Sequence, residues 1–269
     1  MQTDRYRVDH GSKVDLTAYL TDDAARHDID KAEAAVELAK LSTRLRELQE
    51  TIYAQNTHRI LVVIQATDTG GKDGTLTAVA GPLNPQGVRV APFKAPTEEE
   101  LGHDFLWRVH NEVPVDGELV FFNRSHYEDV LIVRVHDLVP EHRWRARYEH
   151  IRNFERLLVD EGTTIVKLFL HISKDEQKER LQARLDDPTK HWKFNPADLT
   201  ERQHWEDYQA AYAEAISETS TKDAPWYVIP ADRKWFRNLL VAQILVDTLE
   251  SLKPTFPPDP DGLADIVID

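Results

Sequence analysis

Residues 61–75 read LVVIQATDTGGKDGT: an apolar run, a glycine turn, and Lys72 where a helix should open. An apolar strand that feeds a glycine-rich turn and then a helix gathers backbone N–H groups and the positive helix end at one point, an arrangement suited to phosphate oxygens. The spacing meets the phosphate-binding pattern G-x-x-x-x-G-K-[ST] only in part. Gly71 and Lys72 fit, but Ala66 stands at the first glycine and Asp73 at the hydroxyl position. A helix-opening turn with a surface lysine would look similar. Asp68 and Asp73 argue for more, because carboxylates within a phosphate cradle repel the ligand unless a hard cation such as Mg²⁺ bridges them.

Outward from this turn, the chain alternates helix and strand. Upstream, Ala34, Leu38, Leu41, Leu45, Leu48 and Ile52 recur at steps of four and three, which predicts an amphipathic helix from about Asp30 to Gln55 covering one sheet face. Residues 59–65 form a strand whose unbroken apolar character suits a parallel sheet buried on both faces. Downstream, 87–93, 117–123, 163–172 and 226–229 supply four more strands. Thr97 with Glu100, and Ser173 with Glu176, form capping boxes that open helices. The first of these should run through Leu101, Phe105, Leu106 and Val109. A long helix after Pro140 carries Trp144, Tyr148, Ile151 and Phe154, a core face rather than a base-stacking platform. Two further helices are expected at about 198–219 and 233–252. The fold class is therefore α/β, a doubly wound parallel sheet of about five strands. Residues 1–28 should form an extended arm on the body or on a neighbouring subunit, residues 253–269 a proline-marked tail, and Ile266-Val267-Ile268 a short docking strand.

The 269 residues suffice for one substantial domain, taken as 1–269. No apolar stretch approaches the roughly 20 residues needed to cross a bilayer, and the first residues lack the apolar core of a secretory signal, so no membrane partner and a cytoplasmic address are expected. The absence of cysteine excludes disulfides and thiolate metal sites. A net charge of −14 argues against a nucleic-acid partner. A polyanion would need a local basic track, and one is present at Arg124, Arg134, Arg143, Arg145, Arg147, Arg180, Arg184, Lys190 and Lys193, although most arginines between 143 and 156 read better as solvated helix faces.

The second dense polar cluster, Asn123-Arg124-Ser125-His126-Tyr127-Glu128-Asp129, follows a strand directly. Parallel α/β sheets collect ligands beyond the carboxyl ends of their strands, so this cluster and the glycine turn are expected to meet. Arg180 and Arg184, one turn apart, lead into residues 188–196, which mix charge and aromatics without helical period, as a lid or an ordinary connecting loop would. Together these are the parts phosphoryl transfer requires: cations and Mg²⁺ more than a nucleophilic side chain.

The sequence resembles the type 2 polyphosphate kinases over nearly its whole length. The resemblance rests on ATDTGGKDGT at 66–75, NPQGVRV at 84–90, FLWRVHNEVP at 105–114, FNRSHYEDV at 122–130 and the lid run from Arg180 to Lys193. It implies a P-loop kinase fold, similar to thymidylate kinase, with a helical lid at about 180–197. It also implies reversible transfer of a terminal phosphoryl group between inorganic polyphosphate and a nucleotide with Mg²⁺. On that resemblance Lys72 holds the phosphates in flight with Gly70, Gly71, Asp73, Gly74 and Thr75. Asp68 and Asp129 act on the metal, Arg124 neutralises the reacting group, and Arg180, Arg184, Lys190 and Lys193 close over the donor. Asn123 stands where some branches carry aspartate, which makes Asp129 the substitute second ligand. Glu128, within SHYED, looks like the branch accepting both nucleoside mono- and diphosphates, AMP and ADP first, with GMP and GDP further candidates. A carboxylate there can accept from an exocyclic base amine or simply pair with an arginine, and Arg134 joins it as a nucleotide-binding residue. The resemblance suggests a homodimer or homotetramer. Two readings stay beside it: an ATP-dependent nucleotide kinase, and a non-catalytic polyphosphate- or nucleotide-sensing module.

Overall fold

The computed structural model describes residues 1–261, 263, 266 and 268; the expected strand over 266–268 includes Val267, which lies outside them. The five strands are β1 (Arg59–Ala66), β2 (Val88–Pro92), β3 (Leu119–Asn123), β4 (Thr163–His171) and β5 (Trp226–Pro230). They form one parallel sheet in the order β2-β3-β1-β4-β5. β1 is central because every one of its residues after Arg59 is buried. Ile60, Val62 and Ile64 face one core, and Leu61 and Val63 face the other, the two-sided burial that an unbroken apolar strand requires.

In chain order the helices are α1 (Lys31–Gln55), α2 (Lys72–Val79), α3 (Glu98–Leu101), α4 (Trp107–His110), α5 (Ile132–Val135), α6 (Glu141–Asp160), α7 (Lys174–Asp186), α8 (Ala197–Glu201), α9 (Trp205–Thr219) and α10 (Lys234–Ser251). α1 and α10 pack on one sheet face, α6 and α9 on the other. The Asp30 side chain caps α1 in a box with Glu33, and Asn56, at φ 54°, ends it.

Two expected helices are broken. The one after Thr97 stops at Leu101, and a new turn begins where Asp104 Oδ1 accepts the Leu106 N–H at 3.0 Å. The one expected over 198–219 is interrupted by a 3₁₀ turn at Arg202–His204, after which α9 begins with buried Trp205. The amino-terminal arm lies on its own chain: Val8 N–H donates to the Trp226 carbonyl at 2.8 Å, and Arg7 bridges Tyr227 antiparallel. It thereby covers the β5 edge that would otherwise expose unpaired backbone groups. Among the described residues no helix is long and apolar enough to cross a membrane.

Candidate active site

β1 ends at Ala66, and the chain turns through Thr67–Gly71 into α2. Gly70 packs so tightly that a Cβ would lie 2.5 Å from Ala66 Cβ, and Gly71 adopts φ 104°, where L side chains are strained. The first intrahelical bond runs from Thr75 N–H to the Gly71 carbonyl at 2.9 Å. It leaves the N–H groups of Lys72, Asp73 and Gly74, at the positive end of α2, without a helical acceptor. Gly70 and Thr75 do not join them in facing a ligand. The Gly70 N–H is spent on the Thr67 carbonyl, and the buried Thr75 hydroxyl donates to Gly71 at 3.1 Å.

β3 delivers the second half. Arg124 leaves Asn123 at φ 63°, its N–H donating to the Ile64 carbonyl of β1. This left-handed turn carries the guanidinium across to the glycine loop, where Nη2 donates to Asp68 Oδ1 at 2.9 Å and Nη1 to Glu128 Oε2 at 3.4 Å. Asn123 Nδ2 donates to Asp73 Oδ1 at 3.0 Å. Behind the turn lies a sealed polar network: Lys167 Nζ donates to Glu155 at 2.6 Å, to the Tyr127 hydroxyl at 3.1 Å and to the Thr219 carbonyl at 2.7 Å, and Tyr127 donates to Glu155 at 2.7 Å. A fully buried ion pair persists only with its remaining donors and acceptors satisfied, and here that satisfaction fixes the 126–130 turn.

Asp68, Lys72, Asp73, Asn123 and Arg124 thus share one cavity of about 560 Å³ beyond the carboxyl ends of β1, β2 and β3. Lys72 Nζ donates to the Ala66 carbonyl at 2.9 Å. Burial, then the positive charge of Arg124, lowers its pKa to about 8. The neighbouring Glu128 and Asp68 carboxylates outweigh burial at Arg124 and hold it firmly charged. Arg184, Lys190 and Lys193 line the outer wall. Arg184 ties that wall to α7 through the Lys193 carbonyl at 3.0 Å and Asp198 at 3.3 Å. Burial, and then the negative charge of Asp68, raises the pKa of Asp198.

Several expected site residues are placed elsewhere. Asp129 is turned away: Arg147 Nη1 holds its carboxylate at 2.9 Å on a second cavity with Arg108 and His150, so it does not supply the second metal ligand beside Asp68. Arg134 donates to Glu214 at 2.7 Å and stacks over Trp144, bracing α9 against α6, and is not among the residues lining the glycine-loop cavity. Arg180 reaches the cavity wall, but its donors are committed to Glu176 and to the carbonyls of Thr69, Gly70, Ala231 and Asp232. It buttresses the loop instead of gripping a donor. Glu128 lies in a small inner pocket with Tyr208 and Tyr212, pairing with Arg124. For the nucleotide phosphorylation that the resemblance implies, Glu128→Ala is therefore expected to loosen Arg124 and to lower the rates with AMP and ADP to a similar degree; steady-state rates with each acceptor decide it, and a loss confined to AMP would restore a direct base contact.

Lys94, Lys234, Arg237 and Asp198 also line the cavity and were not expected. The usable signal was position: Lys94 follows the carboxyl end of β2, and Lys234 and Arg237 follow that of β5, the rule that found the other two clusters.

A family model described as polyphosphate kinase 2 matches residues 28–257. The chain belongs to the polyphosphate kinase 2 family. It is 56% identical to the AMP/ADP-polyphosphate phosphotransferase of Meiothermus ruber over 98% of this chain and 99% of that protein. It is 45% identical to the ADP-polyphosphate phosphotransferase of Rhodopseudomonas palustris, over 96% and 93%. The crystal structure of polyphosphate kinase 2 from Arthrobacter aurescens superposes with a TM-score of 0.93 at 45% identity, covering 97% of this chain and 93% of that one. The parallel sheet and its glycine loop are accordingly those of a polyphosphate kinase 2, and this member of the family is a phosphotransferase.

Proposed function

We propose that the chain transfers the terminal phosphoryl group of inorganic polyphosphate to AMP and ADP, reversibly and with Mg²⁺. One observation carries the reading: in a protein of net charge −14, nine Lys and Arg side chains face three Asp around the glycine loop. Such an excess is unfavourable unless a strongly anionic ligand occupies the cavity. The names of the Meiothermus and Rhodopseudomonas relatives support the same donor and acceptors.

Among the described residues no group of three or more His, Asp or Glu side chains could hold a metal by itself. Asp68 and Asp73, which line the cavity, fit Mg²⁺, an ion that takes one or two carboxylates and completes its shell with water and substrate phosphates. Bound there, it would neutralise phosphate oxygens. The chain's own residues do the rest. Backbone N–H groups at the start of α2 and the Lys72 ammonium hold the donor end. Arg124, fixed between two carboxylates, meets the charge that develops on the moving group. The acceptor phosphate is already anionic, so no protein base has to activate it. The lid at 180–197 presents Arg184, Lys190 and Lys193 to exclude water from the reacting anions. The reading takes 1–269 as one kinase domain, cytoplasmic and assembled as a homodimer or homotetramer.

Incubation with Mg²⁺, polyphosphate and AMP, with nucleotides resolved over time, tests it: ADP should appear first and ATP after it. Transfer from ATP with none from polyphosphate would leave an ATP-dependent nucleotide kinase, and polyphosphate binding without turnover a sensing module.

A further inference from the structure

α7 grips the glycine loop by its backbone. Gln177 and Arg180, one turn apart on one helix face, take three consecutive loop carbonyls: Gln177 Nε2 donates to that of Asp68 at 3.1 Å, and Arg180 Nη1 to those of Thr69 and Gly70, each at 3.0 Å. The grip answers a local strain. Thr69 sits at φ 61°, a left-handed conformation that a β-branched residue keeps only where its surroundings impose it. Gln177 is 3% exposed and faces the small inner pocket that also holds Asp68 and Arg124.

The other end of the Gln177 amide leads to the lid. Its Oε1 accepts from Arg202 Nη1 at 2.8 Å, and the same nitrogen donates to the Lys174 carbonyl at 2.6 Å, so Arg202 clasps the first turn of α7. Arg202 opens the 3₁₀ turn between α8 and α9, where the lid run rejoins the body. Beside it, Glu201 accepts from the Tyr208 hydroxyl at 2.7 Å and lies 3.0 Å from His136 Nε2, which pins the end of α8. A buried amide bonded at both ends carries displacement from one end to the other, because letting go of either partner leaves a buried polar group unpaired. At the loop end that displacement reaches Asp68, whose carboxylate accepts from Arg124 Nη2 at 2.9 Å.

We propose that Gln177 is a positioning residue through which Arg202, at the carboxyl end of the lid, sets the peptide that carries Asp68. Docking of the lid and placement of the carboxylate that serves Mg²⁺ and Arg124 are then one event. This role rests on the phosphoryl-transfer reading above and belongs to a residue whose bonds run to backbone and to Arg202.

The test compares the full-length wild type with Gln177→Glu, Gln177→Met, Arg202→Met and the double variant of the last two. It measures amide exchange over 66–72 and 188–204, melting temperature, and the Mg²⁺ and substrate dependence of turnover. Gln177→Glu keeps an acceptor for Arg202 but has no donor for the Asp68 carbonyl. It should speed exchange over 66–72 while leaving 188–204 as in wild type. It should also lower kcat about ten-fold and raise half-saturating Mg²⁺ about five-fold, with KM for polyphosphate and AMP within about two-fold. Arg202→Met should speed exchange in both segments and raise half-saturating Mg²⁺ about three-fold. Added to Gln177→Met, it should move neither the loop exchange nor the Mg²⁺ requirement further, since the link is already cut. Additive effects overturn the proposal, as does a Gln177→Glu variant with wild-type loop exchange and Mg²⁺ requirement. Melting lowered alike in every variant, with the Mg²⁺ requirement unchanged, overturns it too. The single variants Gln177→Glu and Arg202→Met decide the matter even where Gln177→Met is too unstable to assay. Exchange that behaves as stated in a protein that transfers no phosphoryl group keeps the Gln177 link and refutes the kinase reading; full turnover with additive exchange does the reverse.

Discussion

Arg124→Met should lower kcat for AMP phosphorylation by about 10³, with the polyphosphate KM changing by less than about ten-fold. The asymmetry follows from how the side chain is held. Its backbone sits at φ 63°, a conformation costly for a residue with a Cβ, and the Ile64 carbonyl and the buried network behind Tyr127 hold it there. Asp68 at 2.9 Å and Glu128 at 3.4 Å then fix the guanidinium plane. Such a group contributes little to docking a chain that many other cations already attract. It contributes most when negative charge shifts onto the oxygens of the group in flight, because it need not reorganise as that happens. Arg124→Lys keeps the charge but loses the planar fork that two carboxylates grip, so it should recover only part of the rate. Rapid-quench single-turnover rates check this, and a kcat loss below ten-fold would move Arg124 out of the transition state and into simple binding.

The fold was legible because β1 announces itself. Seven buried residues in a row, a glycine turn and a helix admit few arrangements other than a central parallel strand, and the strands that follow sit where their apolar runs do. What the sequence concealed was mostly the destination of long charged side chains. Arg180 and Arg184 lie one turn apart on one helix and look equivalent, yet Arg180 is drawn under the loop by carbonyl groups while Arg184 lines the cavity wall. Asp129 follows Glu128 in the chain but points the other way, because the turn over His126–Val130 is 3₁₀ and fans successive side chains apart. Arg237 comes from a helix more than 160 residues beyond the glycine loop and meets it only through β5 packing beside β4. Spacing along a helix or turn constrains neighbours; it does not say which distant backbone will capture a guanidinium.

Lys72→Met should reduce kcat/KM for polyphosphate by about 10³ or more, the largest loss of any single substitution in the loop, since it removes the one ammonium inside the phosphate cradle. Its titration supplies a second, independent readout. Burial and the nearby Arg124 charge disfavour the ammonium in the free enzyme, bringing the pKa from 10.5 to about 8. Because the charged form is the one that binds phosphate, kcat/KM should fall as pH rises through about 8. Bound phosphates restore the missing negative charge and raise the pKa again, so kcat should hold to higher pH than kcat/KM. Lys72→Arg cannot deprotonate in this range, so whatever activity it retains should lack that alkaline limb. Rate profiles of wild type and Lys72→Arg across pH 6 to 10 at constant ionic strength, about 0.15 M to hold surface screening fixed, provide the measurement. A wild-type kcat/KM that stays flat past pH 9, or a limb that survives unchanged in Lys72→Arg, would assign the titration to another group and leave Lys72 an ordinary fixed cation.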